Sequence, residues 1–153
     1  RPLPPLTIER MRAASTPRDA TLISVLAYAG LRPGEALALQ WRDIREHSAT
    51  GTVWSQPAYQ SWRRRAFKRS LDGAGVEHAR PYDLRHSYAS LLFHEGRSVI
   101  YVARQLGHDA RLTLSTYGHV MDEFEDASQL DATTAIADAR AALANEEPKL
   151  RRQ

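Results

Sequence analysis

The chain carries its own helix punctuation. Proline or a hydroxyl residue opens one segment after another and glycine closes it: Thr16-Pro17 to Gly30, Pro33 onward, Ser55 and Pro57 to Gly73 and Gly75, Pro81 to Gly96, and Ser98 to Gly107. Proline suits the first helical position, because the N–H it lacks would have no partner there. Glycine suits the end, because it enters the left-handed conformation without steric cost. Between these marks apolar residues recur at helical spacing. Ala20, Ile23, Leu26 and Ala27 form one stripe, Ala36, Leu37 and Leu39 a second, and Tyr59, Trp62, Ala66 with Phe67 or Leu71 a third. Leu84, Tyr88, Leu91 and Leu92 form a fourth, and Val99, Val102, Ala103 and Leu106 a fifth. A chain cut in this way folds as a mainly α domain, with room for at most one small β-hairpin in Ile44–Val53.

The punctuation also sets the expected boundaries. Arg1–Leu6, with Pro2, Pro4 and Pro5, reads as an extended linker, and Thr7 as the cap of a short helix to Ala14. Helices are predicted from Pro33 to Trp41 and from Pro57 to Leu71, and Asp109 is placed to cap the helix that carries Tyr117. An acidic stretch, Asp122 to Asp126, then leads to Asp131, which caps an alanine-rich helix with Ala132, Ala135, Ile136, Ala139 and Leu143 in its stripe. Glu146–Gln153 reads as frayed. The expected division is a main domain over residues 1–126, with 1–6 as linker, and a tail over 127–153.

At 153 residues the chain is long enough for one hydrophobic core. No apolar run reaches spanning length, and Arg1-Pro2-Leu3-Pro4-Pro5 lacks the apolar segment of a secretory signal, so no membrane partner is expected. There is no cysteine, which excludes disulfides and thiolate metal sites and fits a reducing cytoplasm. Charge is uneven along the chain. Residues 1–120 hold 17 Lys/Arg against 10 Asp/Glu, and residues 121–153 hold 4 against 8. Lys68 and Lys149 are the only lysines, and arginine is the better fork for phosphate oxygens. A basic body points to a polyanion, most simply nucleic acid; a solvated surface is the alternative.

Several residues stand out for chemistry. Arg32 precedes Pro33 at a helix start, where free N–H groups already favour an anion, and Glu35 one turn on is placed to hold its guanidinium. Tyr82, Arg85 and His86 follow Pro81 on one helix; Leu106-Gly107-His108 brings a histidine to a helix end; Thr116-Tyr117-Gly118-His119 brings a hydroxyl that can attack phosphorus. Taken singly these are a surface ion pair, a capping histidine and a core tyrosine. His86 and His94 stand two turns apart, too far to share a metal, and no metal site is expected. Arg63, Arg64, Arg65, Lys68 and Arg69 lie opposite the apolar side of their helix, a solvated face or a phosphate-backbone contact.

Together these motifs resemble the tyrosine recombinase, or phage integrase, catalytic domain. Gly30 to Ile44, with its Gly-x-Arg-x-x-Glu and Leu-x-Trp-x-Asp-Ile, is similar to that family's first arginine box, and Arg80–His119 to its second half, so the likeness covers most of residues 16–124. The resemblance implies a compact helical catalytic domain that breaks and rejoins double-stranded DNA through a 3′-phosphotyrosyl link, with no cofactor. It assigns Tyr117 as nucleophile, Arg32, Arg85 and His108 to the phosphate, Tyr82 to the catalytic set in the place where integrases usually have histidine, and Glu35 and His86 to supporting places. It implies a bacterial or phage origin and a homo-oligomer on DNA, a tetramer, with a monomer the alternative in isolation. The tail helix then docks on a neighbouring protomer, with packing back on its own domain the alternative for an isolated monomer.

Two departures weaken catalysis. Tyr82 stands where integrases usually have histidine, and Ile44–Val53 lacks the lysine that the family carries in a β-hairpin there. A phenol titrates near pH 10 and is a poor base at neutrality. The competing readings are a catalytically inactive DNA-binding or assembly module, a type IB topoisomerase-like nicking and closing enzyme, and a helical protein-interaction domain.

Overall fold

The computed structural model describes the backbone of residues 2–43, 52–122 and 131–150, and within these the side chains of all but 119–122 and 145–150. α1 (Pro5–Ala13) and α2 (Pro17–Tyr28) lie against each other; α3 (Pro33–Ala38) is short and is followed by a 3-10 turn at Trp41–Asp43. α4 (Gln56–Ser61) continues through a π-wound turn at Trp62–Ala66 into α5 (Phe67–Gly73). α6 (Pro81–His94), α7 (Val99–Leu106), α8 (Ala110–Asp122) and α9 (Ala132–Leu150) complete the order. Among the described residues the β structure is one antiparallel bridge between Gln40 and Thr52. The chain is mainly α, as its punctuation predicts. Of the segment expected to hold a small hairpin, residues 44–51 lie outside the described residues, as do Glu123–Asp126 of the acidic stretch.

Five caps form where the sequence placed them; Thr7 is not one, because α1 has already begun at Pro5 and Thr7 lies inside its first turn. Thr16 accepts from the Asp19 N–H at 3.3 Å, Ser55 from Ala58 at 3.3 Å, Ser98 from Tyr101 at 3.2 Å and Asp131 from Thr134 at 2.9 Å. Asp109 takes the Arg111 N–H at 2.7 Å. Each bond satisfies a first-turn donor that has no partner inside its helix, a contribution of about 1 kcal/mol.

Three boundaries differ from expectation. α1 starts at Pro5, inside the stretch read as linker, because a proline at the first helical position gives up no hydrogen bond. α3 ends at Ala38 rather than Trp41: Leu39 turns extended, with ψ 131, and its carbonyl takes the Val53 N–H at 2.9 Å. α9 runs to Leu150, past the expected end and through part of the stretch read as frayed; residues 151–153 lie outside the described residues.

Two apolar clusters share α6. Ile8, Met11, Leu22, Ile23, Leu26, Trp62, Phe67 and Leu84 belong to the first, which α1, α2 and the α4–α5 helix close. Ala89, Leu92, Phe93, Val102, Leu106 and Tyr117 form the second, between α6, α7 and α8. Each fully buried large side chain contributes about 1.5–3 kcal/mol. α6 places Leu84 in one cluster and Ala89 in the other, so Arg85 stands at the seam. The π turn serves the first cluster: the Phe67 N–H bonds to the Trp62 carbonyl five residues back, and the two rings meet at 5.1 Å. α9 packs on α1 and α6 of its own chain, with Ala139 buried, Arg140 Nε 3.2 Å from Glu9 Oε2, and the Ala132 N–H 3.2 Å from Glu95 Oε1.

Candidate active site

The site begins at a glycine. Gly30 follows α2 with φ 65, and a Cβ there would stand 2.1 Å from Cδ1 of Tyr88. Two residues on, Arg32 is the N-cap of α3. Its backbone N–H donates to Glu35 Oε2 at 2.7 Å, its Nη1 lies 3.3 Å from Glu35 Oε1, and its Nη2 donates to the Gly107 carbonyl at 3.2 Å. Glu35 therefore does hold the Arg32 guanidinium. Gly107 ends α7 in the left-handed region, φ 57, which turns its carbonyl toward Arg32 and brings His108 beside Arg85.

Arg85 is the buried centre, 2% exposed. Nη1 donates to the Gly30 carbonyl and to Glu35 Oε2 at 3.4 Å; Nη2 donates to the Leu106 carbonyl and to His108 Nε2 at 3.2 Å. An arginine only donates, so His108 Nε2 accepts and the neutral ring carries its proton on Nδ1. Burial first, then the charges of Arg85 and Arg32, lower the pKa of His108. Two buried atoms, Arg85 Nε and His108 Nδ1, have no partner. Each unmet donor costs about 1–3 kcal/mol, which an acceptor such as an anion oxygen relieves.

Tyr117 is delivered by α8 and is 3% exposed. Its hydroxyl lies 2.6 Å from His86 Nδ1. The rings of His86 and Phe93 flank it, with centroids at 5.5 and 5.8 Å. Burial, with Tyr82 adding to it, pushes the phenol up to about 12, against a lowering by the charge of Arg85. His86 is lowered by burial. Tyr82 and Arg85, expected on one side of α6, part company: Arg85 turns inward while Tyr82 stays 37% exposed with its ring edge-on to His86 at 5.1 Å.

Arg63, Arg64, Arg65, Lys68 and Arg69 are all exposed. Arg65 and Arg69 line an open groove of about 380 Å³ with Arg18, Trp54, Tyr59 and Trp62. Arg32, Arg85 and His108 are not part of that groove, and among the described residues no hydrogen bond or ion pair joins the two basic groups. The structure thus brings Arg32, Glu35, Arg85, His86, His108 and Tyr117 into one neighbourhood and leaves the basic helix face outside it.

What the sequence reading missed is the part played by carbonyls. Gly30, Leu106 and Gly107 anchor both arginines through their backbone oxygens, and the signal available for this was the glycine at each helix stop. Among the described residues no group of three or more His, Asp or Glu is arranged to hold a metal ion, and no helix is long and apolar enough to cross a membrane.

Residues 54–123 match the phage integrase family. Over that stretch, a little under half of its length, the chain is similar to that family. An "Integrase/recombinase" of Escherichia coli is 37% identical over 73 residues, which is 47% of this chain and 22% of the relative; one of Pseudomonas aeruginosa is similar to the same extent. The "Putative defective protein IntQ" of Escherichia coli K12 is 29% identical over 76 residues, 49% of this chain and 19% of the relative. The chain spans about a fifth of the length of these relatives. No solved structure matches it. The integrase match takes in Tyr82, Arg85, His86, His108, Tyr117 and the arginines from Arg63 to Arg69, while Arg32 and Glu35 lie ahead of it.

Proposed function

We propose that this integrase domain is the catalytic part of a site-specific recombinase that breaks and rejoins double-stranded DNA through Tyr117. One observation carries the reading. Arg32, Glu35, Arg85 and His108, scattered over three elements, form one hydrogen-bonded cluster, and the residue after Arg85 touches the Tyr117 hydroxyl. In the reaction the Tyr117 oxygen bonds to phosphorus and the bond to the 5′-oxygen breaks, so the phosphodiester energy is kept in a 3′-phosphotyrosyl link. Arg32, Arg85 and His108 meet the charge on the non-bridging oxygens. Arg63, Arg64, Arg65, Lys68 and Arg69 hold the DNA backbone, and the working form is a homo-oligomer on DNA. Residues 1–126 make up this catalytic unit, and 127–153 are its tail.

A second reading, an inactive DNA-binding or assembly module, has its own support. Four N–H groups of Arg85 are taken by protein acceptors, Tyr117 is buried, and Ile44–Val53 has no lysine to protonate the leaving oxygen. Incubation with a nicked DNA duplex, followed by a denaturing gel, separates the two. A DNA-linked species that vanishes in Tyr117→Phe supports the enzyme. DNA binding without any such species in the parent supports the module.

A further inference from the structure

We propose that His86 takes the proton of the Tyr117 hydroxyl, which makes it a further catalytic residue of this site. The inference rests on the recombinase reading and adds the base that such a nucleophile needs. His86 Nδ1 and the hydroxyl are 2.6 Å apart, within direct proton-transfer reach. The contact is enclosed: Tyr117 is 3% exposed and Phe93 packs against its ring. Arg85, the preceding residue, is pinned to the carbonyls of Gly30 and Leu106, so the backbone that carries His86 has little freedom. Tyr82 offers no rival base. It is a phenol, it is partly exposed, and it meets His86 by its ring.

The charge state is suitable. His86 faces Tyr117 from α8 and, along its own helix, Asp83, Arg80, Arg85 and Tyr82; burial is the largest influence and favours the neutral imidazole. A neutral ring with its proton on Nε2 presents a lone pair at Nδ1. As the Tyr117 oxygen bonds to phosphorus, its O–H bond breaks and that proton moves to Nδ1. The bond from phosphorus to the 5′-oxygen breaks in the same step, and the electron pair leaves with that oxygen. The phenol is too weak an acid to ionise beforehand, so the transfer accompanies the attack.

Two measurements test this. The first uses the protein alone, with ¹⁵N-labelled histidine. Long-range proton–nitrogen spectra should show His86 protonated at Nε2 and bare at Nδ1, with the Nδ1 signal shifting in Tyr117→Phe. A proton on Nδ1 overturns the proposal, because a donor cannot accept. The second follows covalent adduct formation on DNA with a bridging 5′-sulfur, a leaving group that needs no acid. The parent's rate should rise with pH through one histidine-like step. His86→Asn keeps an acceptor near the Nδ1 position but cannot serve as base; it should lose that step and fall roughly a hundredfold. Equal rates and an unchanged pH profile in a folded His86→Asn overturn the proposal while leaving the recombinase reading intact. A parent that forms no adduct on sulfur-substituted or normal DNA sinks the recombinase reading and the role of His86 together.

Discussion

Arg32 and Gly107, 75 residues apart in the chain, are joined by a 3.2 Å hydrogen bond from guanidinium to carbonyl. The bond ties the start of α3 to the end of α7, yet the Arg32 side chain remains 42% exposed. Exposed ion pairs and hydrogen bonds of this kind contribute about 1 kcal/mol or less. Arg32→Ala should therefore leave thermal unfolding nearly unchanged while lowering adduct formation by a hundredfold or more, the usual scale for a lost transition-state donor. A variant that fails to fold would show that Arg32 serves the scaffold instead.

Arg85 should behave in the opposite way. Its removal strands the carbonyls of Gly30 and Leu106 at the seam between the two apolar clusters. Each buried carbonyl left without its donor costs about 1–3 kcal/mol. Arg85→Ala and Arg85→Lys should both lower the urea midpoint sharply, since a lysine ammonium cannot span both carbonyls as the planar fork does. An Arg85→Lys protein as stable as the parent would refute this account of the seam.

Gly30 is constrained twice, by its φ of 65 and by the Tyr88 ring over it. The left-handed conformation alone costs an L-residue about 1–2 kcal/mol, and the clash adds to it. Gly30→Ala should destabilise by more than that figure. Combined with Tyr88→Ala, the total loss should be smaller than the two single losses added, as a double-mutant cycle read by chemical denaturation will show.

The helix caps were legible in the sequence because each is a local contract: Thr16, Ser55, Ser98 and Asp131 each serve an N–H three residues on. The residues of the site were legible as a motif. Their geometry was not, because it depends on packing between distant segments. Nothing near Arg85 in sequence announces that its partners lie 55 residues back, at Gly30, and 21 residues ahead, at Leu106. Tyr117 was read as a nucleophile without its burial, since burial comes from Phe93 and the α6–α8 contact. The π turn escaped for a different reason. Residues five apart stand about 140° apart on an α-helix, so a stripe that offered Trp62 with either Phe67 or Leu71 did not announce the extra residue that lets Trp62 and Phe67 meet.

Acid should weaken the fold through two histidines. His86 and His108 are both held below the ordinary histidine value of 6.5, each chiefly by burial. At mildly acidic pH the unfolded chain then binds more protons than the folded one, so folding stability is full above pH 6.5 and is lost as pH falls through the depressed values. The melting temperature should hold from pH 8 to about 6.5 and then fall, and His108→Asn should flatten that fall. A profile identical in parent and variant would remove His108 as a contributor.

The π turn at Trp62–Ala66 gives this helix a tolerance of residue count that an ordinary helix lacks. One surplus residue is stored there, held because Trp62 and Phe67 can then meet. Deleting a single residue inside the turn restores regular α winding, so the helix itself survives. Everything before the deletion keeps its direction relative to everything after it, because the lost residue and the tighter winding cancel. A deletion elsewhere in the helix has no such outlet and swings its two sides by about 100°. The turn is therefore the one stretch of the basic helix where the chain can shed a residue and still leave Lys68 and Arg69 facing as they did relative to what precedes Trp62.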